Sequence, residues 1–183
     1  MKARSLASVI ATVVTIAAAA LVWHSLPVNT QVYAPFDTHG TAGSAVVGGD
    51  LTATVTATGI STKLLSRTSA KEVGATGTWV VVTTTLQTGR EPALPHAELL
   101  VGGDTYATTD RLIAGAGLLQ AGIPQDRQWT FDVAPEVLNS VSSVVLRMWT
   151  GDGRLDARLL IDIPLAGADR PASIVLTPST VVM

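Results

Sequence analysis

Along most of the chain, apolar and polar residues alternate with a period of two. Leu51 to Thr58, LTATVTAT, sets Leu51, Ala53, Val55 and Ala57 against four threonines. That is the pattern of a strand with one buried and one wet face. Thr78 to Thr88, TWVVVTTTLQT, is richer in β-branched residues and predicts a central strand. Its core face is expected at Val80, Val82 and Leu86, with Trp79 and Val81 covered from the other side. The same alternation recurs with Ala97, Leu99 and Val101, then with Trp129, Phe131 and Val133. It returns with Val144, Leu146 and Met148, opposite Val145, Arg147 and Trp149, and with Leu155, Ala157, Leu159, Ile161 and Ile163. A short strand is expected over Asp104 to Thr108.

Turn signals separate these runs. VGGD occurs at Val47–Asp50 and again at Val101–Asp104, and Thr150–Arg154 reads TGDGR, whose Asp152-Gly153 suits a tight hairpin turn. Only Pro135–Ser140 is briefly helical in character, with proline suited to a first turn. About seven short strands and almost no helix predict an all-β, immunoglobulin-like antiparallel β-sandwich over residues 41–165.

The first part of the chain follows a different rule. Leu6 to Leu26, LASVIATVVTIAAAALVWHSL, is apolar, and no Asp, Glu, Lys or Arg occurs from Ser5 through Phe36. A helix over that run would be about 31 Å long, the thickness of a bilayer's hydrocarbon core. Lys2 and Arg4 precede it and the next basic residue is Lys63, an asymmetry that keeps the N-terminus inside and sends the rest across. The run is expected to be an uncleaved, single-pass transmembrane anchor over residues 1–27, because Leu21, Val22 and Trp23 extend it past the small residues Ala17–Ala20. The alternative is a signal peptide cleaved near those alanines, which would release a secreted domain. Residues 28–40 are expected as a linker and residues 166–183 as a flexible tail interrupted by Pro178.

Composition narrows the chemistry. The chain has 183 residues, a net charge of −2 and no cysteine. Disulfides, thiolate metal sites, thiol catalysis and a lipid-bearing cysteine are thereby removed. Without a basic block, nucleic acid is not an expected partner. His24, His39 and His96 lack neighbours at metal-ligand spacing, so no metal and no cofactor is expected. Gly115-Ala-Gly117-Leu-Leu-Gln120 has glutamine where a dinucleotide loop needs its third glycine. Ser44 lacks the frame of a hydrolase nucleophile. Asp152, Gly153 and Asp156 are too few oxygen ligands for a calcium loop. Asp110-Arg111 reads as a solvated pair. Trp79, Trp129, Phe131 and Trp149 are expected in the core. Eight aromatic residues would supply a sugar-stacking cleft poorly, so a small-molecule ligand is disfavoured.

The segments GTWVVVTTTLQT, AELLVGGDTYATTDRL and LLQAGIPQDRQWTFDVAP carry a resemblance. Their order is a hydrophobic strand, a Gly-Asp-x-Tyr hairpin, a loop with an Asp-Arg pair, and a strand ending in Phe-x-x-x-Pro. The chain resembles a family of exported immunoglobulin-like domains of unknown function from high-GC Gram-positive bacteria, related in fold to a small secreted mycobacterial antigen. The abundance of Arg over Lys fits such a coding bias. The resembling part runs from Gly40 to Pro164, and it implies a sandwich outside the membrane with no catalytic residues to carry over.

The expected function is a non-catalytic extracytoplasmic domain on the cell membrane, an accessory or scaffold subunit docking on an envelope or membrane protein. A secreted module binding a cell-wall polymer or small ligand is the alternative, and a hydrolase with dispersed carboxylates the least favoured. The expected partner contact lies in the long apolar connection Thr109–Gln120, at Leu112, Ile113, Leu118 and Leu119, because exposed apolar loops are usually covered.

Overall fold

The computed structural model describes residues 2–26, 34–67, 72–109, 117–153 and 156–182. Two units are distinct, Met1–Ala34 and Pro35–Met183. The first contains helix α1, Lys2–Ser25. Its hydroxyl side chains turn back onto the helix: Thr12 Oγ1 donates to the Ser8 carbonyl, Thr15 Oγ1 to that of Ala11 and Ser25 Oγ to that of Val22. Along this helix and its end, side chains are described at residue 8 and residues 11–26. Among the described residues no helix is long and apolar enough to cross a membrane.

The second unit is a β-sandwich. Its strands are β1 Phe36–Thr41, β2 Val46–Gly48, β3 Leu51–Ser66, β4 Glu72–Thr88, β5 Pro95–Val101, β6 Asp104–Ala107, β7 Gln125–Val133, β8 Ser143–Thr150, β9 Ala157–Pro164, β10 Ile174–Leu176 and β11 Thr180–Val181. A short helix, α2 Pro135–Asn139, follows β7. One sheet has the order β1-β9-β8-β5-β6, and the other β10-β3-β4-β7-β11 with β2 beside β3. The two VGGD turns differ in register: the first has positive φ at its second glycine, Gly49 at 59°, and the second at its first glycine, Gly102 at 60°. Such angles suit glycine, which carries no Cβ to clash.

The main core lies between the sheets. Val80, Val82, Leu86, Leu99, Phe131, Val133, Leu146, Met148, Leu159 and Ile161 are buried in it, each on the face that the alternation assigns. A second, smaller cluster sits on the opposite face of β4: Trp79 and Val81 pack with Leu64, Val73 and Leu176. The expectation that Trp79 and Val81 are covered from the other side is therefore met.

Four expectations need correction. The sheets are not purely antiparallel, since β1 pairs with β9 and β10 with β3 in parallel. Residues from Ala166 on do not form a free tail. Ile60 N donates to the Asp169 carbonyl, and Ile174 to Leu176 add a strand to β3, placing Leu176 in the second cluster. Part of the expected linker is strand β1, so the compact unit starts at Pro35 and not at residue 41. Finally, Ala57 is exposed, because the β3–β4 register shifts between Val55 and Ala57. An extra residue in one strand reverses which side chains face inward beyond it. Thereafter Ile60 carries the core contact, 5% exposed.

Candidate functional site

The connection expected to touch a partner divides into three fates. Leu112 and Ile113 lie outside the described residues, as do Asp110 and Arg111. Leu118 is 56% exposed, whereas Leu119 is fully buried and belongs to the main core. Leu119 is fixed there by paired backbone bonds with Ala93, at 2.8 and 3.2 Å. It therefore offers nothing to a partner, which corrects that expectation. Next to it Arg127 occupies a core-facing position of β7, between Gln125 and Trp129. Its Nη1 donates to the Gly117 carbonyl at 2.7 Å and its Nη2 to Gln125 Oε1. Burial lowers the pKa of this guanidinium. Alternation alone marks position 127 as inward, and an arginine there is the signal that the reading of the sequence passed over.

The outer face of the five-stranded sheet gathers most of the remaining polar and aromatic groups. Cross-strand register sets them in rows. One row reads Asp37 on β1, Arg158 on β9, Trp149 on β8 and His96 on β5. The next reads His39, Leu160, Arg147, Glu98 and Ala107, and the third Thr41, Asp162, Val145, Leu100 and Thr105. Residues directly opposite on one face interact most strongly across strands. Accordingly, Arg158 Nε donates to Asp37 Oδ1 at 2.6 Å and its Nη2 to Oδ2 at 2.8 Å, a bidentate fork. Arg147 is likewise forked onto Glu98 Oε2, its Nε at 2.9 Å. The hydrogen bond from Arg158 holds the Asp37 carboxyl below its ordinary value, and the same bond raises the pKa of Arg158.

His96 and Trp149 stack, with ring centroids 5.5 Å apart and planes inclined by 18°. Gly153 lies against the same indole: a Cβ there, at φ +73°, would come within 2.9 Å of Trp149 Cδ1. Trp149 is thus only partly buried and lies outside the main core, contrary to expectation. Its strand has apolar residues on both faces, and neighbour composition does not distinguish them.

Among the described residues no group of three or more His, Asp or Glu could hold a metal ion. Asp132 and Glu136 line a groove of about 490 Å³ with Tyr106. The Asp132 carboxylate, however, accepts from the backbone N–H groups of Thr76 and Gly77, both at 2.8 Å. That structural role ties β7 to the β4 strand and engages both carboxylate oxygens. Ser44 sits in a turn, its N–H bonded to the Thr41 carbonyl.

No family model and no curated protein matches the chain. Among solved structures it is similar to an uncharacterized beta-sandwich protein from Clostridium difficile 630, at 14% identity and a TM-score of 0.46. The match covers 69% of this chain and 95% of that one.

Proposed function

We propose that this chain is a non-catalytic extracytoplasmic domain, held to the membrane by residues 6–26 and docking on an envelope or membrane protein through the outer face of its five-stranded sheet. One observation carries the reading, the unequal treatment of the two outer faces. On the six-stranded sheet the chain seals its own apolar groups, laying Ile174 and Leu176 against Trp79 and Val81. On the five-stranded sheet, Leu100, Val145, Leu160 and the His96–Trp149 stack remain partly exposed. Two fixed Arg–carboxylate forks lie among them. Aromatic and arginine anchors in a polar setting are the composition of protein-binding surfaces.

The anchor rests on the uncharged run from Leu6 to Leu26 and on the basic residues ahead of it. Hydroxyls satisfied within the helix lower the cost of placing Thr12, Thr15 and Ser25 in hydrocarbon. The immunoglobulin-like reading is supported by the path of the chain, which passes between sheets at β1–β2, β4–β5, β6–β7, β7–β8 and β9–β10. Membership of the exported family from high-GC Gram-positive bacteria rests on the three segments quoted above.

A photocrosslinking residue placed at Val145 or Leu160 of the full chain in native membranes tests the docking face. Discrete adducts are expected there and not from Thr62, which is exposed on β3. An identical adduct pattern from all three positions, or none at all, refutes the face. Recovery of a mature N-terminus near Leu21 would replace the anchored form by the secreted one.

A further inference from the structure

On the outer face of the five-stranded sheet one charge has no answer within the chain. The three rows hold three carboxylates, Asp37, Glu98 and Asp162, and two guanidiniums, Arg147 and Arg158. The forks engage both arginines, Arg158 with Asp37 and Arg147 with Glu98. The Asp162 side chain has neither a hydrogen bond nor an ion pair among the described residues. Val145 stands opposite it on β8, Leu100 lies beyond on β5, and Leu160 precedes it on the same face of β9. All three are half-buried, so the carboxylate borders a small apolar seat.

Nothing in the fold calls for an acid there. Strand β9 runs inside the sheet, between β1 and β8, and aspartate is among the residues least suited to a strand. The backbone holds the position: the Asp162 carbonyl accepts from Ala42 N–H at 2.8 Å, and its Cα pairs with those of Thr41 and Val145. Every other carboxylate and guanidinium of these rows is matched across strands. A residue that breaks a local rule with no return inside the fold points to function. The seat also sets a condition on whatever covers it. Burying Leu100, Val145 and Leu160 strips water from the adjacent carboxylate, and a carboxylate buried without a counter-charge costs free energy. An apolar partner is thus penalised and an anionic one repelled. A lysine or arginine satisfies both halves, laying its methylene stem on the apolar seat and its cationic head on the carboxylate.

We propose that Asp162 selects the charge of the docking partner, which inserts a lysine or arginine here with its stem across Val145 and Leu100. The inference rests on docking at the outer face of the five-stranded sheet and adds the chemistry of the partner's contact residue. With Arg147 and Arg158 held in their forks, neither competes for this carboxylate.

A photocrosslinking residue at Leu160 of the full chain in native membranes reports docking, and it is combined with Asp162→Asn, Asp162→Glu or Asp162→Lys. Asp162→Asn keeps the shape and should lower the adduct yield at least about tenfold. Asp162→Glu should retain most of the yield, and Asp162→Lys should abolish it. Raising the salt should weaken the wild-type adduct more than the residual adduct of the Asp162→Asn variant. The purified variants should melt with wild type, because this side chain makes no polar contact among the described residues. Undiminished or higher yield with Asp162→Asn would mean that the partner brings no cation, and it overturns the proposal while docking at this face stands. A fall in yield matched by a fall in Tm would make Asp162 a structural residue and overturn it too. Absence of any discrete wild-type adduct refutes the docking face and this inference with it.

Discussion

Trp129 donates its indole N–H to Thr84 Oγ1 at 2.9 Å, across β7 and β4 in the middle of the core. Thr84 is fully buried, and its hydroxyl is the acceptor that lets a large amphipathic ring occupy an otherwise apolar layer. Thr84→Val keeps the shape and removes the acceptor, stranding a buried donor. It should destabilise the sandwich by about 1–3 kcal/mol, whereas Thr84→Ser should cost markedly less. Urea unfolding of the two variants decides this, and equal midpoints would mean that the bond contributes nothing.

Adjacent leucines offer a sharper contrast. Leu119 is fully buried and Leu118 is 56% exposed. Leu119→Ala should cost about 2–5 kcal/mol, through lost burial and a cavity. Leu118→Ala should change stability by less than about 0.5 kcal/mol. Similar melting temperatures for the pair would contradict the placement of this connection.

The C-terminal segment should behave as part of the fold. Leu176, 5% exposed, packs with Trp79 in the second cluster. Leu176→Asp would bury a carboxylate or expel the segment, and either route uncovers Trp79. A red shift of tryptophan emission and a lower Tm are expected, and the same changes should follow truncation after Ala168. An unchanged spectrum in both would show that the segment does not seal this face.

The Asp37–Arg158 fork gives an acid-side pH dependence. Asp37 has its pKa lowered from 3.8 by the hydrogen bond from Arg158. A carboxyl depressed in the folded state adds stability above its unfolded pKa and loses it as pH falls through the folded value. Wild type should therefore exceed Asp37→Asn in stability at neutral pH, and the gap should shrink below pH 3.8 as both states protonate. Stability curves of the two proteins from neutral pH down to about pH 2 measure this. A gap that stays constant over that range would exclude the fork as its source.

Much of the architecture is written in the period-two pattern. From Val80 to Leu86 and from Trp129 to Val133, alternation alone identifies the inward residues, because one face is apolar enough to be decisive. Alternation fails where both faces carry apolar residues. Trp149 shares its face with Val145 and so resembles a core residue, yet it stacks on His96 outside the core. It fails again at Ala57, where one inserted residue reverses the pattern without any glycine or proline at the site to announce it. Parallel partners are hidden for another reason. The choice of β9 for β1, or of β3 for β10, is made by residues more than a hundred positions apart, and no local signal encodes it. Of the expected contact residues, Leu118 and Leu119 differ only in which side of one bridged backbone they occupy, and that depends on Ala93.

The two parallel pairings also bear on when the domain can form. The strand that begins the sandwich, Phe36–Thr41, has its ladder partner in Ala157–Asp162, and the cover for Trp79 waits for Leu176. A chain delivered from its N-terminus onward therefore cannot finish the five-stranded sheet before Ala157–Pro164 has arrived, nor the six-stranded sheet before Ile174–Leu176 and Thr180–Val181. Contacts of such long sequence separation form slowly. If the domain is exported as proposed, late closure keeps the chain an extended polymer that a narrow translocation channel can accept, and it locks only after passage.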